Sequence, residues 1–398
     1  MEVSLLSKFS SRFHWDFRPN RLTEALNDKR CTGARILDLT ESNPTHAGFT
    51  YPPEIVANLG DPRILNYEPA PAGILTAREA VAAYYSRRHH PVDPSHLLLT
   101  ASTSEAYAYL FKLLCEPGDQ VLVPRPSYPL FEFLAHMESV EIRQYPLAYH
   151  GGWGIDFDAL AAAITPRTRA IVLVNPNNPT GSYVKKSELE SLIQLAGAHD
   201  LALISDEVFS DYALSADPTR VETLSGVDGV LTFSMSGLSK IAGLPQMKLG
   251  WIAVSGPGPQ RREALEKLEW IADTYLSVGA PVQYSAERLL HAGEDVQQQI
   301  RRRTSTHLEH ARKSLKDSVV NILKVEGGWY ITLQVPRVRS EEERTLNLLA
   351  AESVLVQPGF FFDFQSEAYL IVSLLTHPDI FHEGITRLRR HIQSASSA

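Results

Sequence analysis

Three polar segments, each at the end of an apolar run, carry side chains that are suited to covalent chemistry. Residues 175–181 read NPNNPTG, Asp206 ends the run LALISD, and Lys240 stands in the turn SMSGLSK. A lysine amine forms a Schiff base with an aldehyde when it is desolvated or lies near another cation. The hydroxyl and N–H groups of a turn built from small residues can also hold a phosphate. These segments therefore indicate chemistry at one lysine.

Each segment also has a simpler interpretation. Lys240 alone would be a solvated side chain, and residues 175–181 would be a turn, because Asn, Pro and Gly favour turns. Asp206 would be a surface carboxylate, or the magnesium-binding acid of a nucleotide hydrolase, but the phosphate-loop pattern GxxxxGK[ST] is absent from the sequence. Asp206 can instead remain ionised beside a cationic ring nitrogen, since an opposite charge lowers the pKa of a carboxyl group.

The elements that would position these residues follow an α/β pattern. Short apolar runs predict buried strands at 97–99, 121–123, 171–174 and 201–204. Helical segments are predicted at 105–115 and 187–199. Such alternation predicts a mostly parallel sheet with crossover helices. Ligands of open parallel sheets bind beyond the carboxyl ends of the strands, and the polar segments would lie there.

The pattern changes after Pro281. A charged helix over 286–315, short strands around Tyr330 and Leu370, and a last helix over 383–392 predict a smaller α+β unit. We therefore predict three regions in the chain. They are an N-terminal arm with part of the small domain at 1–60, a large domain at 61–285, and the C-terminal small domain at 286–398.

Composition and charge exclude several classes of protein. A net charge of −8 gives no basic stripe of the kind that binds nucleic acid. No apolar run approaches the roughly 18 residues of a membrane span, and the N-terminus lacks the apolar core of a signal peptide. We therefore expect a cytoplasmic protein. Cys31 and Cys115 are far apart in sequence, and we expect two idle thiols in a reducing compartment.

The order of the three segments is more specific than any one of them. NPNNPTG, Asp-Glu and Ser-x-x-Ser-Lys follow one another at separations that resemble fold-type-I pyridoxal-phosphate enzymes of the class I/II aminotransferase superfamily, over about residues 38–391. The resemblance implies the PLP-dependent transferase fold, with pyridoxal 5′-phosphate in the large domain, and a homodimer. It also implies that an amino group moves between an amino acid, or an amine, and a 2-oxo acid.

The resemblance assigns roles around the cofactor ring. Lys240 would form the Schiff base and later move a proton. Asp206 would pair with the pyridinium nitrogen so that the ring can accept electrons. Asn178 would hydrogen-bond the O3′ atom of the ring, and Tyr128, in the sequence PSYP, would stack on it.

The resemblance also implies a set of phosphate-binding residues. Ser102 and Thr103 begin a predicted helix, and a helix N-terminus suits an anion. Ser239 and Lys248 would complete the phosphate site. Tyr67 would reach the phosphate of the other subunit across the dimer interface.

Two positions depart from the usual pattern at the cofactor. Lys248 stands where an arginine is common, so a point charge replaces a bidentate fork. Phe209 stands where many members have a tyrosine that contacts O3′, which would leave Asn178 to make that contact alone.

A third departure concerns the substrate. Ile371 aligns with the arginine that usually binds the α-carboxylate of the substrate. The alignment is shifted, or another cation does this work, or the substrate lacks that carboxylate. Arg12, Arg18 and Arg21 in the N-terminal arm are candidate substitutes, although an exposed surface position is the simpler interpretation of each.

Other functions remain as alternatives. A lyase or decarboxylase on the same cofactor differs only in which bond at Cα breaks. A non-catalytic sensor of this fold is a further class, which the presence of Lys240 disfavours. His89 and His90 have no zinc-like partners in sequence, and no G-x-G-x-x-G follows a strand to bind a nicotinamide. The aromatic run 360–362 is predicted either to line the mouth of the site or to pack in the core.

Overall fold

The computed structural model describes residues 9–13 and 15–396. In this part of the chain the strands are β1 (Leu37–Asp38), β2 (Leu97–Thr100), β3 (Gln120–Arg125), β4 (Glu141–Tyr149), β5 (Trp153–Ile155), β6 (Thr168–Val174), β7 (Ala202–Asp206), β8 (Thr232–Gly237), β9 (Gly250–Ser255), β10 (Asn321–Ile322), β11 (Tyr330–Gln334), β12 (Val354–Leu355), β13 (Gln357–Pro358) and β14 (Tyr369–Ser373).

The α-helices of the described residues are α1 (Arg21–Cys31), α2 (Glu54–Ala57), α3 (Leu75–Arg87), α4 (Thr103–Leu114), α5 (Leu130–Met137), α6 (Phe157–Ala163), α7 (Lys186–Ala198), α8 (Leu238–Ile241), α9 (Gly258–Asp273), α10 (Ala280–Tyr284), α11 (Ala286–Leu315), α12 (Glu341–Glu352) and α13 (Pro378–Ser396). Short 3-10 helices lie at Ser11–Phe13, Pro62–Leu65, Pro94–His96, Pro245–Met247 and Gly359–Phe362.

A large mixed sheet has the strand order β2-β9-β8-β7-β6-β3-β4-β5. Neighbouring strands from β8 through β4 are parallel, whereas β9 pairs antiparallel with both β2 and β8, and β5 pairs antiparallel with β4. The predicted strands correspond to β2, β3, β6 and β7, and α4 and α7 agree with the predicted helical segments. The mostly parallel central sheet is thus confirmed.

Helices cover both faces of this sheet because its central strands are apolar on both sides. Val172 and Ile204 point into one hydrophobic core, while Ile171 and Leu203 point into the core on the opposite face. All four side chains are fully buried. Near-continuous apolar runs are therefore required in these strands, in place of alternation with polar residues.

A smaller α+β unit contains an antiparallel sheet with the order β10-β11-β14-β13. Strand β1, near the N-terminus, pairs in parallel with β12 and joins the same region of the molecule. Leu37 packs in one core with Ile331, Leu333 and Leu370. The smaller α+β unit that follows Pro281 in sequence therefore also takes in residues from the N-terminal part of the chain.

Helix α11, which has 30 residues, contacts both regions. Near its first turns Gly293 packs so closely that a Cβ atom there would lie 2.4 Å from the Cβ of Ala242. One turn later the Gln297 Nε2 atom donates a hydrogen bond to the carbonyl of Ile241, 2.7 Å away. Towards its other end Leu308 and Ala311 lie in the core of the small sheet.

Both cysteines are free thiols: Cys31 is exposed and Cys115 is half-buried. No helix among the described residues is long and apolar enough to cross a membrane. Within residues 9–13 and 15–396, no group of three His, Cys, Asp or Glu side chains is arranged to hold a metal ion.

Candidate functional site

The ends of five strands meet along one edge of the large sheet. In the strand register Val174 lies opposite Asp206, at the ends of β6 and β7. Gly237, which ends β8, lies opposite Gly250, and Gly250 lies opposite Thr100 at the end of β2. The segments that follow Val174, Asp206, Gly237 and Thr100 and the segment that precedes Gly250 are therefore brought to one place, although they are distant in sequence.

Lys240 lies in the short helix α8 directly after β8, and its Nζ atom is 5.6 Å from the centroid of the Trp329 ring. Among the described residues this amine has no carboxylate partner within 4.0 Å. Burial lowers the pKa of the Lys240 amine, and the charge of Asp206 opposes this effect. A larger fraction of the amine is therefore neutral, and the neutral amine is the form that attacks an aldehyde.

Asp206 ends β7 and is partly buried. Its carboxylate accepts hydrogen bonds from the N–H of Val208, at 3.3 Å, and from the hydroxyl of Tyr107, at 3.2 Å. Burial raises the pKa of Asp206 to about 6, although these hydrogen bonds and the charge of Lys240 lower it. The carboxylate is thus ionised above pH 6, and a further cation beside it would favour that form.

Two loops at this edge are tied together by Asn177. Its Nδ2 atom donates to the carbonyl of Pro126, at 3.0 Å, and to Thr180 Oγ1, at 2.9 Å. The hydroxyl of Ser127 donates to Asn177 Oδ1, at 3.1 Å. Tyr128 follows Ser127 and is held beside the end of β3, with 47% of its surface exposed.

Asn178, next in the same loop, is buried, and its Oδ1 atom has no hydrogen-bond partner among the described residues. A buried polar atom that lacks a partner costs about 1–3 kcal/mol. Burial raises the pKa of the Tyr128 hydroxyl, and the nearby charge of Asp206 adds to that increase. Tyr128 and Asp206 therefore lie near enough for the charge of one to affect the pKa of the other.

The N-terminus of α4 lies at the same edge. The Ser102 hydroxyl caps this helix by accepting from the N–H of Glu105, at 3.2 Å, and Thr103 is its first residue. A Cβ atom on Gly250 would lie 3.1 Å from Thr100 Oγ1 and 3.2 Å from the carbonyl carbon of Ser102. A side chain at this position would require the turn or β9 to move by a few tenths of an ångström, and the free N–H groups at the start of α4 suit an anion.

The remaining predicted phosphate residues differ in their exposure. Ser239 precedes Lys240 and is half-buried. Lys248 is exposed and has a left-handed backbone, with φ of 53°. Tyr67 is 83% exposed in the single chain, and it lines a cavity of about 310 Å³ together with Leu65.

Ile371 lies in the interior of β14, where it is fully buried opposite Thr332 and Gln357. Each of the three arginines in the N-terminal arm is exposed and bonded to a neighbour. Their partners are Ser139 for Arg12, Asp16 for Arg18 and Glu342 for Arg21. The structure therefore does not bring an arm arginine to the position of Ile371.

Aromatic side chains surround the site. Phe209 packs edge-on against Trp329, with 5.1 Å between ring centroids, and against Tyr330, with 6.3 Å. The carbonyl of Phe362 accepts from the N–H of Ser127, at 2.9 Å. Phe362 is buried whereas Phe360 is 46% exposed. The aromatic run thus packs in the core at one end and borders the loop of Tyr128.

Comparison with known proteins identifies this arrangement. The model of the family described as aminotransferase class I and II matches residues 34–380. The chain belongs to this family. It is 26% identical over 373 residues to the glutamate-pyruvate aminotransferase AlaA of Escherichia coli, covering 90% of this chain and 91% of that protein. It is 29% identical to an alanine aminotransferase of Mycobacterium bovis, covering 91% and 86%.

Solved structures agree with this assignment. An aminotransferase from Escherichia coli superposes with a TM-score of 0.84 at 26% identity, covering 97% of this chain and 98% of that one. An alanine aminotransferase from Pyrococcus furiosus has the same fold, with a TM-score of 0.87 at 24% identity, covering 97% and 100%. The chain is thus an aminotransferase of the class I and II family, whose members use pyridoxal phosphate.

The residues present fit this cofactor. Lys240 offers a half-buried amine without an ionic partner in the described part of the chain, and Asp206 offers a carboxylate that a ring cation would stabilise. The Asn178 amide has an unused oxygen, and the α4 N-terminus offers N–H groups to a phosphate. An aldehyde, a ring nitrogen, a ring hydroxyl and a phosphate would each meet a suitable group.

Sequence reasoning missed Tyr107 and Trp329. Tyr107 lies four residues after Thr103 in α4, so both side chains share one face of the helix, and this spacing was the available signal. Trp329 precedes β11 in the smaller α+β unit, and no local pattern links it to Lys240. Only the packing of that unit against α8 brings the two together.

Proposed function

We propose that the chain binds pyridoxal 5′-phosphate through a Schiff base at Lys240 and transfers an amino group between an amino donor and a 2-oxo acid. The observation that carries this proposal is that a half-buried amine, Lys240, and a carboxylate, Asp206, lie at the ends of neighbouring strands and influence each other's pKa. Membership of the aminotransferase class I and II family supports the same reaction.

The bound cofactor supplies an electron-accepting ring. In the proposed reaction the Lys240 Nζ atom would accept a proton from the α carbon of the amino donor and would later give one to the α carbon of the 2-oxo acid that becomes the product, and the lowered pKa of this amine makes it a better base near neutral pH. Asp206 holds a negative charge beside the ring nitrogen. Asn178 orients the ring through its amide, and Tyr128 covers one face of the ring.

The phosphate is proposed to bind at Ser102, Thr103, Ser239 and Lys248, and the Tyr67 hydroxyl of a second subunit is proposed to reach it. Tyr67 is 83% exposed in the single chain and Leu65 is 85% exposed. Such exposed hydrophobic side chains support a homodimer interface at this place. Two free thiols suit a reducing compartment, and we place the enzyme in the cytoplasm.

We propose three regions in the chain: the arm with part of the small domain at 1–60, the large cofactor-binding domain at 61–285, and the small domain at 286–398. The pairing of β1 with β12 supports the assignment of early residues to the small domain. The long α11, which starts at Ala286, supports a boundary near 285.

The amino donor is proposed to be an α-amino acid, since two relatives of the chain are named glutamate-pyruvate and alanine aminotransferases. A second candidate, an amine without a carboxylate at the reacting carbon, is favoured by the buried Ile371 on the face of β14. A half-reaction screen separates the two, with loss of the cofactor's absorbance as the readout. Bleaching by alanine or glutamate supports the first candidate, and bleaching by carboxylate-free amines alone supports the second.

The decisive experiment is reduction of the purified protein with borohydride, followed by mapping of the modified peptide. We expect the cofactor on Lys240 in the wild type, and neither covalent cofactor nor turnover in Lys240→Ala. Lys248→Ala is the matched control, because it removes a lysine at the same edge and should keep the reducible imine with weaker cofactor binding. An unmodified Lys240 in active protein would overturn the proposal, and release of ammonia in place of a transaminated product would indicate a lyase.

A further inference from the structure

The hydroxyl of Tyr107 is aimed at the carboxylate of Asp206. Tyr107 lies in α4 and is 3% exposed, and its oxygen is 3.2 Å from Asp206 Oδ2. Its ring packs against Phe131, with 5.5 Å between centroids, and against Phe111, with 5.9 Å. Packing therefore fixes the Tyr107 side chain, and its hydroxyl is already in place beside one carboxylate oxygen of Asp206 before any ligand binds.

The direction of this hydrogen bond is also fixed. Burial and the negative charge of Asp206 raise the pKa of the Tyr107 hydroxyl well above its ordinary value. Tyr107 therefore keeps its proton at every pH at which the protein works. An ionised carboxylate has only acceptors, so the tyrosine donates and the carboxylate accepts.

Asp206 has few other groups that favour its charge. The N–H of Val208 donates at 3.3 Å from its own segment, and Lys240 contributes a positive charge from α8. Tyr128, from the loop after β3, brings no charge that would help, because the charge of Asp206 raises its pKa. Burial disfavours the ionised form. When the Lys240 nitrogen is bonded to another group, the hydrogen bonds from Val208 and Tyr107 still stabilise the negative charge of Asp206.

We propose that Tyr107 is a positioning residue, which orients the Asp206 carboxylate and stabilises its ionised form through a single hydroxyl donor. Its effect on a ring nitrogen rests on the proposed function, but its effect on Asp206 does not. A purely structural role would require only the ring, since Phe111 and Phe131 contact the ring.

Tyr107→Phe tests this because it keeps the ring and removes the donor. Asp206 is followed in cofactor-free protein by carboxyl NMR with labelled aspartate, and its signal is assigned by its loss in Asp206→Asn. We expect Asp206 to titrate near pH 6 in the wild type and to bind its proton about tenfold more tightly in the variant.

Tyr145→Phe is the matched control. Tyr145 is a buried tyrosine of β4, and its hydroxyl donates to the carbonyl of Val172, at 2.8 Å. Its loss should leave the titration of Asp206 unchanged. The inference is overturned if Tyr107→Phe titrates like the wild type, or if both variants shift the titration equally.

A second measurement separates this inference from the proposed function. Binding of pyridoxal phosphate is compared with binding of its 1-deaza analogue, which has carbon in place of the ring nitrogen. We expect Tyr107→Phe to weaken binding of the cofactor about tenfold and to leave binding of the analogue unchanged. Equal weakening of both would overturn the positioning role, whereas failure of the wild type to bind either one would refute the proposed function and leave the NMR result standing.

Discussion

Acid should weaken the contact between α11 and α13 through one buried histidine. His307, in α11, is 1% exposed, and its ring stacks on Phe381 of α13 with 4.0 Å between centroids. Its Nδ1–H donates to the carbonyl of Leu374, at 2.9 Å. Burial lowers the pKa of His307 from 6.5 to about 3, and the charges of Arg303, His382 and His310 add to this effect.

The size of the effect follows from proton linkage. The unfolded chain binds a proton at this histidine near pH 6.5, whereas the folded chain does so only near pH 3. The histidine therefore contributes stability that is fully present above pH 6.5 and is lost progressively as the pH falls below that value. Between about pH 7.5 and about pH 5 this loss is about 2 kcal/mol.

The assay is denaturant unfolding of the wild type and of His307→Asn at both pH values, since asparagine keeps an N–H donor but does not titrate. We expect the free energy of unfolding of the wild type to fall by about 2 kcal/mol more than that of the variant. His291→Asn is the control, because the side chain of His291 is 85% exposed on the same helix. If the wild type and His307→Asn lose stability in parallel, the buried neutral state of His307 is refuted.

Two further predictions concern the proposed phosphate site. Gly250→Ala should raise the Kd for pyridoxal phosphate at least about tenfold in a fluorescence titration. The new Cβ atom would lie only 3.1 Å from Thr100 Oγ1 and 3.2 Å from the carbonyl carbon of Ser102. An unchanged Kd would show that the turn can shift. Tyr67→Phe should weaken cofactor binding by about fivefold while leaving the dimer intact in sedimentation, and full-strength binding would argue against a hydroxyl contact across the interface.

The sheet and its edge could be predicted from sequence because they depend on local patterns. The apolar runs before Asp206 and the NPNNPTG segment identify buried parallel strands, and parallel strands present their carboxyl ends together. Tyr107 could not be predicted in this way. Its sequence signal is the four-residue spacing from Thr103, and this spacing indicates a contact with Asp206 only once α4 is known to pack against β7. The closeness of Trp329 to Lys240 depends on contact between distant parts of the chain.

The last helix, α13, begins earlier than the sequence analysis predicted. The sequence predicted a last helix over about residues 383–392, whereas α13 begins at Pro378. Proline suits the first turn of a helix, because it has no N–H that would need a partner there. The buried face of the helix also reaches this first turn, because Phe381 continues the apolar stripe of Ile385, Leu388 and Ile392.

Helix α11 connects the turn that carries Lys240 with the core of the small sheet. Gly293 packs against Ala242 beside that turn and Leu308 lies in the core of the small sheet, and the 15-residue separation between them corresponds to about 22 Å along the helix. Because Gly293 leaves no room for a side chain against Ala242, a tilt of α11 that moved the small sheet would also displace the turn that carries Lys240.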